Sequence, residues 1–343
     1  TLPTHGRRSY SQASVAMAYL YGQIKLTGQA IAASRNESKA FAKAVDSEVR
    51  GMVKGLKIEV NRNLWGRGTG AIARIGTGTT AVTPGGLFSV LDASRLEPGM
   101  SIDTFTTNAG SGGTAGFDAK AIDQVDYRNN KISMVDDLSG ASNEASDYIY
   151  RDDSRGYTMM GIEGIVDGLD SAGARLITTL EGITRSTNLW WEGNVLDNAG
   201  VNRAQTLTLI QQAFELGEIV GQGKCSLILS GYDQRRRYVD LTVGDRRYVE
   251  HMTLDGGWGA LMYTGGGEPV PWCGDKMGLA NQAFFIDEKS LAIYRSKDFD
   301  WMDLDGAVLR KVLDKDEYEA TAFSYMNLGA KQCNVNSVLR DLT

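Results

Sequence analysis

SRNESKAFAKAVDSEVRGMVKGLKIEVNRNLWGRGTG, residues 34–70, is the stretch on which the fold turns. Ser34 and Glu37 make an S-x-x-E capping box. Phe41, Val45, Val49, Met52, Val53, Leu56, Val60 and Leu64 then recur every three or four residues, the period of one helix face. A helix over this span is about 45 Å long at 1.5 Å per residue, far above the usual three to four turns. It stops where Gly66, Gly68 and Gly70 remove the preference for helical dihedrals. Gly51 and Gly55 inside it each cost about 1 kcal/mol against alanine, which points to close packing at those two positions.

Before the helix, Val15, Met17, Tyr19 and Tyr21 alternate, and Ile24 and Leu26 continue the alternation one residue out of phase. Two strand segments joined at a bulge near Gly22 would account for the shift. After the helix the pattern changes to short strands and frequent turns: 87–91, 100–106, 121–127, 131–135 and 148–151. A Gly/Ser/Thr loop spans 108–116, and Asn129-Asn130 is placed as a hairpin turn, so 71–160 reads as a small β-barrel or sandwich. A second helix is expected over 202–220, capped by Asn202 and leading into an apolar strand at 226–230. Residues 283–295, 308–312 and 318–325 complete an α+β chain with antiparallel strands. The 41 glycines against 5 prolines agree with a turn-rich architecture.

Composition excludes several function classes. The net charge of -6 leaves no footprint for tight nucleic-acid binding, which needs clustered cations to displace phosphate counterions. Cys225, Cys273 and Cys333 are the only cysteines, widely spaced, so neither a disulfide framework nor a zinc site is indicated. No run approaches the roughly 18 apolar residues of a membrane span, and no signal peptide opens the chain. The Gly66–Gly70 run follows a helix, whereas a phosphate cradle needs a strand before it and a helix after it. Asp298, Asp300, Asp303 and Asp305 miss the calcium-loop spacing and lack its closing glutamate. His5 and His251, the two histidines, have no Cys or Asp at a triad or metal offset. No catalytic residue, metal site or cofactor is assigned. A carboxylate-based, metal-dependent hydrolase using Asp298–Asp305 or His251 remains the reading from a different class.

Arg235, Arg236, Arg237, Arg246 and Arg247, interrupted by Asp233, Asp240 and Asp245, form the densest basic patch; only Tyr238 and Tyr248 supply the stacking aromatics a nucleic-acid reader would use, so an ion-paired subunit interface is at least as good a reading. Trp190, Trp191, Trp272 and Trp301 are expected in the core. Trp258, among Gly256, Gly257 and Gly259, is expected on a loop that makes contacts.

The order of these parts resembles the major capsid proteins of tailed bacteriophages, with the Hong Kong 97 type of fold. Residues 7–21 resemble the second limb of that family's extended loop, 24–31 (IKLTGQAI) its entry strand, 34–64 its spine helix and Gly66-Arg67-Gly68-Thr69-Gly70 its turn. Gly161-Ile162-Glu163-Gly164-Ile165 is similar to the segment that directly follows the turn in simpler members, which makes 71–160 an inserted β-module. The resemblance implies a partial extended loop (1–23), a peripheral domain with the spine helix and an antiparallel sheet (24–70 and 300–343), the inserted module (71–160) and an axial domain (161–299). It also implies an amino-terminal arm and a first loop limb ahead of Thr1. No lysine precedes Lys25, so the lysine crosslinking of some members is not carried over.

What the resemblance implies for function is a shell subunit and not an enzyme. Its partners are copies of itself in pentamers and hexamers, a portal, scaffold or decoration proteins, and double-stranded DNA held loosely on the inner face, with no membrane. The setting is a virion capsid assembled in the bacterial cytoplasm. The contact residues on this reading are Arg7, Arg8, Tyr10, Tyr19 and Tyr21 in the extended loop, Phe41, Val45, Val49, Met52, Leu56, Val60 and Leu64 on the spine, and Arg246, Arg247 and Trp258 in the axial domain. An encapsulin-like compartment, which shares the fold but holds protein cargo, is the nearest alternative.

Overall fold

The computed structural model describes residues 11–29, 38–76, 86–136, 147–166, 175–242, 252–253, 259–303, 306–313 and 315–343. The first strand, β1 (Ala18–Thr27), is continuous. Ala18, Leu20, Ile24 and Leu26 are buried on one face, with Gly22 in line between them, while Tyr19, Tyr21, Gln23 and Lys25 face out. The bulge expected near Gly22 is therefore absent. The tyrosines belong to the outer face, and Ala18 and Leu20 keep the inner alternation in phase with Ile24.

Helix α1 (Ser38–Leu64) lies across that inner face. A Cβ built on Gly22 would sit 2.8 Å from Leu56 Cδ1, so the glycine sets how closely helix and strand approach. Val60 and Leu64 pack with Ala18, Leu20, Met159 and Met326. Gly51 and Gly55 do the opposite of what the sequence suggests: nothing among the described residues lies within 4 Å of a Cβ at either, and both are exposed. The capping pair Ser34 and Glu37 falls outside the described residues. The helix ends as expected, with Gly68 and Gly70 at φ of +76° and +89°.

β2 (Ala71–Arg74), β3 (Phe88–Ser89), β4 (Ser101–Phe105), β5 (Lys120–Asp126), β6 (Lys131–Met134) and β7 (Tyr148–Arg151) form a six-stranded sheet in the order β2-β7-β4-β5-β6-β3. Its two ends meet: Gly76 N donates to Ser89 O and Leu91 N to Arg74 O, each at 2.8 Å, around an Ile75–Val90 bridge. Ile75, Phe88, Leu96, Ile102, Ile122, Ile132 and Ile149 fill the interior with apolar branched side chains. The chain then comes back to where it left. Arg67 bridges Met160, Gly156 N donates to Thr69 O at 3.0 Å, and Gly161 lies directly against the carbonyls that end α1. The short helix α2 (Ile162–Val166) follows, buried.

β8 (Thr179–Leu180) and β9 (Ile183–Thr184) make a small hairpin, and β10 (Asn194–Leu196) precedes α3 (Leu207–Gly221). The cap of α3 is Thr206, whose side chain accepts from Leu209 N at 3.2 Å, and not Asn202. Next come β11 (Leu227–Gly231), α4 (Tyr232–Leu241), β12 (Met252–Thr253), β13 (Gly259–Gly266), β14 (Glu268–Asp275) and β15 (Ala283–Ile286), then β16 (Leu291–Trp301), β17 (Arg310–Lys311), β18 (Glu317–Ala330) and β19 (Ser337–Leu339).

Two more large sheets result. One has the order β1-β18-β16, with β17 also on β18; the other is seven-stranded, β10-β19-β15-β11-β14-β13-β12. The boundary expected at 299/300 therefore moves. β16 pairs along β18 from Leu291–Ala330 to Trp301–Ala322 and so belongs with the spine. β19 leaves that sheet altogether and lies buried between β10 and β15 in the other. The strand at 337–339 is thus inserted, second from one edge, in a sheet built otherwise from 194–286. No helix among the described residues is long and apolar enough to cross a membrane.

Candidate assembly surface

The outer face of the β1-β18-β16 sheet carries a cluster of aromatic residues, two of them well exposed. Tyr19 stands opposite Tyr325 and Tyr21 opposite Phe323 across β1 and β18. The Tyr19 and Tyr325 rings meet edge to face at 4.9 Å, and Phe323 tilts against Tyr325 at 5.2 Å. Cross-strand aromatic pairs of this kind stabilise the sheet by roughly 0.5–1 kcal/mol each. Even so, Tyr19 and Tyr21 stay 59% and 55% exposed, which places them on a surface open to a partner. A hydrogen bond with Tyr325 is the main influence holding the Tyr21 phenol above its ordinary value. β1 is also an edge strand, and an exposed edge offers alternate N–H and C=O groups for pairing.

On the opposite face of the sheet α1 covers only part of the apolar surface. Val49, Met52, Leu56 and Val60 line a largely apolar groove of about 460 Å³ with Phe299, Trp301 and Ala322. The structure thus brings together four of the spine residues singled out in the sequence. Leu64 turns into the core and Val45 is half-buried, while the side chain of Phe41 is outside the described set. A second, more polar cleft of about 610 Å³ separates α1 from the β2–β7 module, between Gly55, Glu59 and Arg62 on one side and Pro98, Met100 and Arg151 on the other.

Arg7, Arg8, Tyr10, Arg246, Arg247, Trp258, His5 and His251 lie outside the described residues. Arg235, Arg236 and Arg237 lie on helix α4, where Arg236 pairs with Asp233 and Arg237 Nη1 donates to Thr343 Oγ1 at 3.1 Å. Trp191 and Trp272 are buried as expected, whereas Trp190 is 44% exposed.

The acidic run does not gather. Asp298 pairs with Arg295 at 3.2 Å and Asp300 with Lys297 at 3.0 Å, along an exposed strand; Asp305 is outside the described residues. Lys297 holds the Asp300 carboxyl below its usual range. The carboxylates that do converge, Asp103, Asp118 and Asp152 with ligand atoms within 4.8 Å of one another, went unread in the sequence, since their spacing has no periodicity. Asp103 already accepts from Ala119 N at 2.8 Å and Asp153 N at 3.3 Å, and Asp152 from Ser101 Oγ at 3.0 Å, so the group serves the backbone of its own module. Burial pushes the Cys225 and Cys333 thiols up to about 12, far from a reactive thiolate.

No protein-family model and no curated protein matches the sequence. Solved structures do. The chain is similar to a subunit of the cyanophage A-1(L) capsid asymmetric unit at a TM-score of 0.53 and 16% identity, covering 95% of this chain and 77% of that one. The satellite phage P4 procapsid gives 0.41 at 7% identity over 99% of this chain and 76% of its own, and the SrpI encapsulin of Synechococcus elongatus 0.33 at 12% over 43% and 52%. With nearly its whole length matched to the cyanophage capsid subunit, the chain has the fold of that subunit.

Proposed function

We propose that this chain is the major capsid protein of a tailed phage, self-assembling through pentamers and hexamers into the icosahedral head around double-stranded DNA. The observation that carries the reading is the outer face of β1, where Tyr19 and Tyr21 are exposed on an open sheet edge of a subunit that has a capsid fold. The cross-strand pairs leave more than half of each ring in water, and a neighbouring copy would bury that remainder. On this reading the peripheral part is α1 with the β1-β18-β16 sheet, the axial part is the seven-stranded sheet, and 71–160 is an inserted six-stranded barrel entered and left beside Arg67 and Met160. Portal, scaffold or decoration proteins are the further partners, and the net charge of -6 suits a wall that holds DNA without binding it tightly.

Electron microscopy and light scattering of the purified protein test this. Closed shells are expected, filled with DNA in the phage; shells loaded with a protein cargo would instead favour an encapsulin-like compartment. Tyr19→Asp should cost the subunit about 1 kcal/mol through the lost Tyr19–Tyr325 pair, leaving it folded, and abolish shell formation. Unchanged assembly of that variant would sink the assignment of this face.

A further inference from the structure

Arg95 sits on the 91–100 connection between β3 and β4, and only 4% of it is exposed. Its Nε donates to Met277 O at 3.0 Å and its Nη2 to Trp65 O at 3.4 Å, while its own carbonyl accepts from Arg62 Nε at 2.9 Å. These partners belong to different bodies. Trp65 and Arg62 are at the end of α1, and Met277 is in the turn between β14 and β15 of the seven-stranded sheet. A single side chain therefore ties the β2–β7 module to both other parts of the subunit.

The surroundings reinforce the tie. Arg62 pairs with Glu59 on its own helix and with Glu97 of the connection at 3.4 Å, and Glu59 also receives Arg151 at 2.9 Å. Tyr127 donates to Leu96 O at 3.0 Å, and Lys276 lies 4.8 Å from the centre of its ring. Asn61 reaches Asp275 at 3.0 Å, bringing α1 and the β14–β15 turn to the same place. Burial lowers the proton affinity of Arg95, opposed chiefly by the Glu163 charge. A cation placed so deep, bonded to carbonyls and not to a carboxylate, is costly unless its reach is needed. Only the planar fork of arginine can serve two carbonyls facing it from separate segments.

We propose that Arg95 is an orientation lock: it holds the β2–β7 module in one fixed pose against both the spine and the seven-stranded sheet, making the module a rigid wall of the subunit and not a tethered appendage. Hydrogen exchange on the unassembled subunit tests it with Arg95→Met, which keeps bulk but removes the donors, and Arg95→Lys, which keeps charge but not the fork. Amides in 62–67, 91–100 and 275–279 should exchange at least tenfold faster, with those of β4, β6 and β7 unchanged. Spin labels at Val53→Cys and Val135→Cys, in a Cys273→Ser background, should give a narrow distance distribution in the parent and a broad one in the Arg95 variants. Unchanged exchange and an unchanged distribution in both variants would overturn the proposal. So would loss of protection throughout the module strands, which would make Arg95 part of the module's own core.

Discussion

Gly161→Ala and Gly55→Ala should move stability in opposite directions, and the structure supplies both magnitudes. At Gly161 a Cβ would lie 2.4 Å from Asn63 O, 2.5 Å from Gly66 O and 2.6 Å from Leu64 O. These are backbone atoms at the end of α1, so no rotamer change relieves the overlap, and the two segments must separate by about 1 Å to restore ordinary contact. That separation strains the bond from Gly164 N to Gly66 O, which crosses the junction. Overpacking at about 1–3 kcal/mol together with one weakened hydrogen bond at about 1 kcal/mol gives a loss of about 2–4 kcal/mol. Gly55 has open space around it on an exposed helix face, so alanine there should add about 1 kcal/mol. Urea unfolding followed by tryptophan fluorescence reads both, since Trp65, 3% exposed at the end of α1, reports on this junction. A Gly161→Ala variant within 1 kcal/mol of the parent would refute the claim that the module returns hard against the spine. A destabilised Gly55→Ala would refute the claim that this helix face is uncovered in the subunit.

Two smaller perturbations probe other elements. Thr206→Ala should cost about 1 kcal/mol by removing the α3 cap, with Thr206→Ser within a few tenths of the parent; equal losses in the two would reject the capping role. Asp103 should titrate above the ordinary carboxylate value of about 3.9, because burial, and then the Asp152 and Asp118 charges, outweigh the two backbone donors. A raised value means that the folded state holds the proton more tightly than the unfolded chain does. The contribution of Asp103 therefore becomes more favourable as pH falls through its folded value toward the ordinary one, and less favourable as it ionises above. Carbon-detected NMR titration gives the midpoint directly, and one at or below 3.9 would contradict this account.

The parts of the fold that were legible in the sequence are those whose signal is local. The α1 periodicity and the triple-glycine stop need no distant residue to be understood, and neither does the turn at Asn130, with φ of 49°. What failed was anything decided by a partner. The Val15–Tyr21 alternation implied a change of phase near Gly22, yet Ala18 and Leu20 keep one inner phase with Ile24, and the tyrosines pair with Tyr325 and Phe323 outside. Gly51 and Gly55 suggested close packing within the subunit, which only the placement of other elements could decide. Ser337–Leu339 carries nothing to announce that it leaves the sheet of β18 and inserts between two strands of another. Arg95 was not singled out at all, since a lone arginine in a polar connection has no sequence signature of burial.

These failures share a direction that bears on function. In each of the first two, residues that a monomeric protein would bury or would not tolerate are left on the surface: aromatic rings on an open edge, and helix-weakening glycines on an uncovered helix face. The groove bounded by Val49, Leu56, Val60 and Trp301 adds apolar surface on a different face of α1, toward the sheet. An isolated subunit pays for all three, in exposed apolar area and in about 2 kcal/mol of lost helix propensity. If further copies of the chain cover those surfaces, as proposed, the stability of subunit and shell is linked by mass action, and protection of β1 and α1 should rise as assembly proceeds. Hydrogen exchange that slowed on assembly only in the seven-stranded sheet, leaving β1 and α1 as open as in the free subunit, would show that the contacts lie elsewhere.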